Sequence, residues 1–223
     1  MKKLVVILGM ILLLAAGATA QEKMVSYGIK AGMDIADNYG DYAEGLDTKV
    51  GFIGGAFVEY MAAPQFAIQL EALYAMKGAK VSGVDAKFKT DYIEFPLLLK
   101  FMIPTQGNIK PNLYAGPALG ILTSAKVSVD VSNLVLSNQA SLDVKDIYKS
   151  TDFGIAFGGG FGAAMESFML TFDVRYTLGM TKIIDPDGFN EFNGYQPSDP
   201  DYLTESPDLK NSNFSFMVGV AFK

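Results

Sequence analysis

Between Asn213 and Phe222 the chain alternates strictly. Phe214, Phe216, Val218, Val220 and Phe222 are interleaved with Asn213, Ser215, Met217, Gly219 and Ala221. A period of two predicts a β-strand with two unlike faces. One face here is large and apolar, the other small or polar. Similar runs recur upstream. They divide the chain after residue 20 into eight strand-like segments, at about 24–35, 49–60, 66–78, 91–103, 112–125, 152–164, 169–180 and 213–222. Each is near the ~9–11 residues of a tilted membrane strand. In the fourth, Ile93, Phe95, Leu97, Leu99 and Phe101 oppose Tyr92, Glu94, Pro96, Leu98 and Lys100. In the seventh, Leu170, Phe172, Val174, Tyr176 and Leu178 oppose Thr171, Asp173, Arg175 and Thr177. The second is less clean, because Ile53 and Phe57 share a face with Glu59.

The connections alternate in length. Met61–Gln65, Pro104–Pro111 and Glu166–Phe168 are short, and Ala36–Thr48, Ala79–Thr90, Lys126–Thr151 and Thr181–Ser212 are long. Barrels of the outer membrane have short periplasmic turns and long outer loops. The pattern predicts an all-β fold: an eight-stranded antiparallel transmembrane β-barrel, an up-and-down meander with both termini periplasmic. Residues 126–150 leave two readings open. Val127, Val129 and Val131, then Leu134 and Leu136, alternate with Ser128, Asp130 and Ser132. That run makes either a hairpin standing beyond the membrane, with Asn138 near its turn, or two further strands. Aromatic residues near strand ends, such as Tyr60, Phe66, Phe101 and Phe222, are candidates for interfacial girdles.

Residues 1–20 have the form of a secretory signal. Lys2 and Lys3 precede an apolar run from Leu4 to Leu14, and Ala18-Thr19-Ala20 supplies the small-x-small cleavage pattern. The expected division is therefore a signal peptide at 1–20 and a barrel domain at 21–223. Without Lys2 and Lys3 the chain carries 16 basic against 24 acidic residues, a formal charge of −8. That excess argues against nucleic acid as a partner. The chain has no Cys and no His. It thus lacks thiol nucleophiles, thiolate metal sites and the commonest general base. Without His the Ser and Thr of the loops have no usual activator. No catalytic residue, cofactor or metal ligand is expected.

The charges predict where the interior lies. Lys30, Glu71, Lys77, Glu94, Lys100, Asp173 and Arg175 fall opposite the aromatic faces. Charge facing hydrocarbon is costly, so this face is expected to line the lumen. The candidate site is a polar lumen network of Lys30, Glu71, Glu94, Lys100, Asp173 and Arg175. It either binds a solute or conducts, or it neutralises itself and plugs a barrel whose interior is just wide enough for side chains. The glycines of the sixth segment suit a crowded interior. Asp185-Pro186-Asp187-Gly188 has the start of a calcium loop, but the remaining spacing is absent and Pro-Asp-Gly is an ordinary turn. The aromatics of that connection, Phe189, Phe192, Tyr195 and Tyr202, either meet a partner or pack over the barrel mouth.

Tyr92-Ile93-Glu94-Phe95-Pro96-Leu97-Leu98-Leu99-Lys100 resembles a strand of the PorT-like outer-membrane β-barrel family, whose members carry Tyr-apolar-Glu-apolar-Pro-Leu-Leu-x-Lys. Lys110-Pro111-Asn112-Leu113-Tyr114-Ala115-Gly116-Pro117 resembles the next block of that family. Arg175-Tyr176-Thr177-Leu178-Gly179-Met180 resembles the penultimate-strand block, where Arg-Tyr-x-x-Gly-Leu is usual. The resemblance spans the chain beyond residue 20. It implies a small eight-stranded barrel, and it singles out Glu94 and Arg175 because both lie in these blocks. The founding type of the family is associated with secretion of surface proteins. One departure is Lys223 after Phe222, where such strands usually end on the aromatic residue itself.

The expected protein is a non-enzymatic barrel of the cell outer membrane, monomeric and surrounded by lipid. Three functions compete. It anchors a surface that meets a protein partner through loops such as Lys126–Thr151 and Thr181–Ser212, it passes small solutes, or it is a soluble lipocalin-like binder with the aromatic faces turned inward.

Overall fold

The computed structural model describes residues 24–81, 83, 86–129 and 140–222. The expected leader at 1–20 and the turn around Asn138 lie outside them. The described chain forms β1 (Val25–Tyr39), β2 (Leu46–Ala63), β3 (Phe66–Val81), β4 (Ala86–Met102), β5 (Ile109–Val129), β6 (Ala140–Asp143), β7 (Thr151–Ala164), β8 (Met169–Gly179) and β9 (Lys210–Phe222), with one α-helix, α1 (Pro186–Asn193), and a short 3-10 helix at Lys145–Ile147. Each strand except β6 pairs antiparallel with its neighbours on both sides, and the β1–β9 and β4–β5 ladders leave no open edge. The fold is a closed eight-stranded meander barrel with β6 as an appendage to β5. Closure is what lipid demands, since an unpaired backbone group there has no water to turn to.

The alternation holds in space. Ile29, Val58, Leu99, Phe157, Val174 and Phe216 are exposed on the outer wall, while Lys30, Glu71, Lys100, Asp173 and Arg175 are buried inside. A soluble binder with inward aromatics is thus excluded. Cross-strand aromatic pairs lie on the outer wall near the end that carries the termini: Phe66 against Phe101 at 5.4 Å and Tyr27 against Phe222 at 6.2 Å between ring centres. On β2, Ile53 and Phe57 are buried in the lumen beside Glu59, which explains the mixed pattern there. The Lys30 ammonium sits over the Phe57 ring, 4.9 Å from its centre, so this inward aromatic serves a buried cation.

Two expected long connections are mostly strand. Ala36–Thr48 shrinks to residues 40–45 and Ala79–Thr90 to residues 82–85. The reason is that polar residues beyond the apolar band stay in the ladder. Asp37 pairs with Ser212 and Asn38 with Asn211, and Lys87 of β4 pairs with Ser128 of β5. The strands span 11 to 21 residues among the eight, longer than a membrane crossing needs. The described parts of 126–150 pair as the first reading expects. Lys126–Val129 pair with Ala140–Asp143, and among the described residues no further strand joins the barrel wall. The fourth long connection keeps its length over residues 180–209 but contains α1.

A charge placed on the outer wall of β9 should be costly. Val218→Arg is expected to destabilise the barrel by about 2–4 kcal/mol, the usual penalty near the bilayer midplane. Equilibrium denaturant refolding into phospholipid vesicles measures it, with Lys210→Arg at the water-exposed end of the same strand as the neutral control.

Candidate lumen network

Glu71 on β3 is the centre of the lumen. Its carboxylate accepts from both terminal nitrogens of Arg175 on β8, at 2.7 and 2.8 Å, in the two-pronged geometry that suits a guanidinium. It also accepts from Lys30 Nζ on β1 at 3.0 Å. Lys30 Nζ donates as well to Asp173 Oδ2 on β8, at 2.9 Å. Gln69 donates to Glu71 through its side-chain amide and accepts from Lys100 Nζ on β4, at 2.8 Å. Lys100 then meets Glu59 on β2 at 2.6 Å. One connected set therefore crosses the barrel from β2 to β8. Glu71, Arg175 and Gln69 are each about 1% exposed.

Small residues make room for these side chains. Gly158 of β7 lies opposite Arg175, and Gly160 lies opposite Asp173. A Cβ on Gly158 would come within 2.9 Å of the Tyr114 hydroxyl and collide with the Val174 carbonyl. Tyr114 uses that space: its hydroxyl donates to Val174 O at 3.2 Å, and its ring lies 5.3 Å from the Arg175 guanidinium carbon. Gly158 and Gly160 thus work as free volume inside the barrel.

A second layer lies toward the long-loop end. Glu94 on β4 pairs with Lys77 on β3, whose ammonium also faces the Tyr92 ring. Glu94 thus stands apart from the Glu71 set, although both belong to the expected network. Asp34 Oδ1 accepts from Asn213 at 2.7 Å and from Ser215 at 2.6 Å. Asp152 accepts from Asn211 at 2.8 Å and from Thr181 at 2.6 Å.

Sequence reasoning passed over Glu59, Gln69, Asp34 and Asp152 as network members. Strand parity held the signal for Asp34, which is four residues from Lys30 and on the same face. Glu59 was masked by its apolar neighbours on β2. The Asp-x-Asp-Gly segment does a different job from the one its composition suggests. Asp185 caps α1, with its Oδ1 accepting from Asp187 N at 3.1 Å and Gly188 N at 3.4 Å. Among the described residues no cluster of three or more His, Cys, Asp or Glu is placed to hold a metal ion.

Two cavities flank the network. One, of about 740 Å³, opens at the termini end and reaches Glu59, Lys100 and Asp173. The other, of about 470 Å³, lies at the long-loop end beneath α1.

A family model described as outer membrane protein beta-barrel domain matches residues 19–185. No curated protein matches by sequence. Among solved structures the chain is similar to Neisserial surface protein A, at 16% identity over 88% of this chain and 96% of that one, with a TM-score of 0.49. It is similar to Ail, the attachment invasion locus protein of Yersinia pestis, at 13% identity over 89% and 99%, with a TM-score of 0.42. The N-terminal β-barrel domain of Pseudomonas aeruginosa OprF gives 13%, 88% and 97%, with a TM-score of 0.39.

Breaking the central pair should cost more than replacing it. Arg175→Met leaves the buried Glu71 carboxylate with Lys30 as its one cation and the Gln69 amide beside it, and is expected to cost about 3–5 kcal/mol. The double variant Glu71→Leu with Arg175→Met should recover part of that loss. A double-mutant cycle by denaturant unfolding in vesicles measures both. Additive losses would mean the two side chains are not coupled.

Proposed function

We propose, from the premise that this chain belongs to the outer membrane protein β-barrel domain family, that it is a non-enzymatic membrane anchor with a closed lumen. Its outer rim then serves as an interaction surface for a protein partner. The observation that carries this reading is the Glu71-centred network, which spans the interior from Glu59 to Arg175 with its members buried. An eight-stranded interior is filled by side chains, and here the filling is charged, mutually neutralising and hydrogen-bonded. Breaking such a set open exposes buried charges one at a time, which is expensive. The place left for recognition is the long-loop end, where Tyr42, Leu142 and Phe192 are exposed around the mouth. The PorT-like blocks at Tyr92–Lys100, Lys110–Pro117 and Arg175–Met180 support a partner from the secretion of surface proteins. Export through residues 1–20 and a monomeric state belong to the same proposal.

A small-solute pore is the second reading. The cavities at the two ends favour it, because they shorten the stretch that the network must seal. Single-channel recording separates the two. Refolded barrel, verified by heat-modifiable gel mobility, is expected to stay silent in planar bilayers. Glu71→Gln with Arg175→Gln, which removes the central pair, is expected to give openings. Reproducible openings from the unaltered chain would overturn the closed-lumen reading and make Lys30, Glu71 and Lys100 pore-lining groups.

A further inference from the structure

On β3, β4 and β5 the sheet carries lysines past the apolar band. Lys80 of β3 lies directly opposite Lys87 of β4, and Lys89 of β4 lies directly opposite Lys126 of β5. Lys87 and Lys89 share the parity of Ile93, Leu97 and Leu99, which are exposed on the outer wall. Cross-strand partners share a face, so all four lysines stand on the outer side of the sheet. Lys80, Lys87 and Lys126 are exposed, and Lys89 is half-buried. Like charges directly opposite one another destabilise a ladder. Two such pairs stand side by side here, in a chain whose formal charge beyond residue 20 is −8. They oppose the sheet unless an anion sits against them.

The neighbouring carboxylates do not fill that role. Asp47 of β2 and Asp143 of β6 stand at the two edges of the set, opposite Lys80 and Lys126. Among the described residues none of the four lysines is in an ion pair. Asp143 accepts from Lys145 N at 3.0 Å. Asp91, on the membrane side of Lys89, accepts from the Tyr74 hydroxyl at 2.8 Å through one oxygen, and its other oxygen is sealed from solvent.

The height of the set selects the anion. From Phe101 to Ile93 the outward residues of β4 are all apolar. At ~3.4 Å per residue and a tilt of ~35–45° they cover roughly 20 Å of an apolar band ~25 Å tall. Lys89 is four residues further on, about 10 Å higher along the membrane normal. That places Lys89 and Lys126 in the headgroup layer, which adds several ångströms to each side of the hydrocarbon. What lies against an outward side chain at that level is a lipid headgroup, and a lysine there is drawn to its negative charge.

We infer that Lys80, Lys87, Lys89 and Lys126 form a docking site for a phosphate-bearing lipid headgroup in the leaflet around the long-loop end. Lys89 and Lys126 hold the phosphate nearest the hydrocarbon. The site lies on the outer wall and does not depend on whether the lumen is closed.

The test is backbone amide NMR of the refolded chain in phosphatidylcholine nanodiscs into which phosphatidic acid is titrated. The Lys87, Lys89 and Lys126 resonances are expected to shift and to saturate at a low mole fraction. That of Lys110, exposed at the termini end, is expected to drift without saturating. Lys89→Gln with Lys126→Gln should raise the half-saturating fraction at least about fivefold. That factor corresponds to about 1 kcal/mol, the worth of one lysine at an anionic surface. Lys110→Gln should leave it unchanged. Equal responses at the two ends would overturn the inference, as would an unchanged half-saturation in the double variant. Inorganic phosphate that produces the same shifts in pure phosphatidylcholine would overturn the assignment to a lipid. A response that appears only after Asp85→Asn with Asp130→Asn would also overturn it, because the chain's own acids would then hold the lysines. If the double variant fails to refold, the comparison of the two ends on the unaltered chain still decides.

Discussion

Everything in this molecule follows from the backbone's need for partners in a solvent that offers none. Inside hydrocarbon each N–H and C=O must find its partner within the protein. The sheet answers by closing, through the ladder between β1 and β9 at one seam and between β4 and β5 at another. Closure in turn fixes which side chains share the interior. Once eight strands are joined, every second residue is confined to a narrow tube, and the polar face of the alternation has nowhere else to go. The inward charges must therefore satisfy one another.

They do so by distributing charge around Glu71. A carboxylate held by one guanidinium and one ammonium is matched in charge by the neighbouring Asp173, and the chain of contacts continues through Gln69 to Lys100 and Glu59. Volume is the second condition. Arg175 and Tyr114 fit only because Gly158 supplies no side chain at their level, and Asp173 fits beside Gly160 for the same reason. Charge balance and free volume are set together, on strands that are far apart in sequence.

That division explains what the sequence discloses. Strands β3, β4 and β8 are legible because the charges among their apolar positions, Glu71 and Lys77, Glu94 and Lys100, Asp173 and Arg175, each fall on one parity, so both the strand and its lumen face can be read from a dozen residues. β2 is harder, since Ile53 and Phe57 fill the lumen beside Glu59 and blur the contrast. The pairing itself is invisible locally. Glu71 and Arg175 are separated by 104 positions, and only the register of the closed barrel brings them together, so Glu94 and Arg175 look equivalent in sequence although they belong to different layers. The ends of the strands were underestimated because polarity signals water, whereas a ladder such as Asp37 with Ser212 persists in water as readily as in lipid. Helix α1 carried its own start and stop signals, with Asp185 as cap, Pro186 in the first turn and Gly194 in the left-handed conformation at the end. An acidic turn sequence concealed them.

The extension of the sheet past the membrane changes how this surface meets other molecules. On β4 the outward positions turn from Ile93 to Asp91, Lys89 and Lys87, yet pairing with β5 continues to Ala86 and Val129. Where the strands continue past the membrane, the rim is a hydrogen-bonded collar. Its backbone entropy was surrendered when the barrel folded. A molecule that docks on the collar does not have to order that part of the chain first, so less of the contact energy is spent on immobilising it. Such a collar favours partners that already match its shape over partners that would have to mould it.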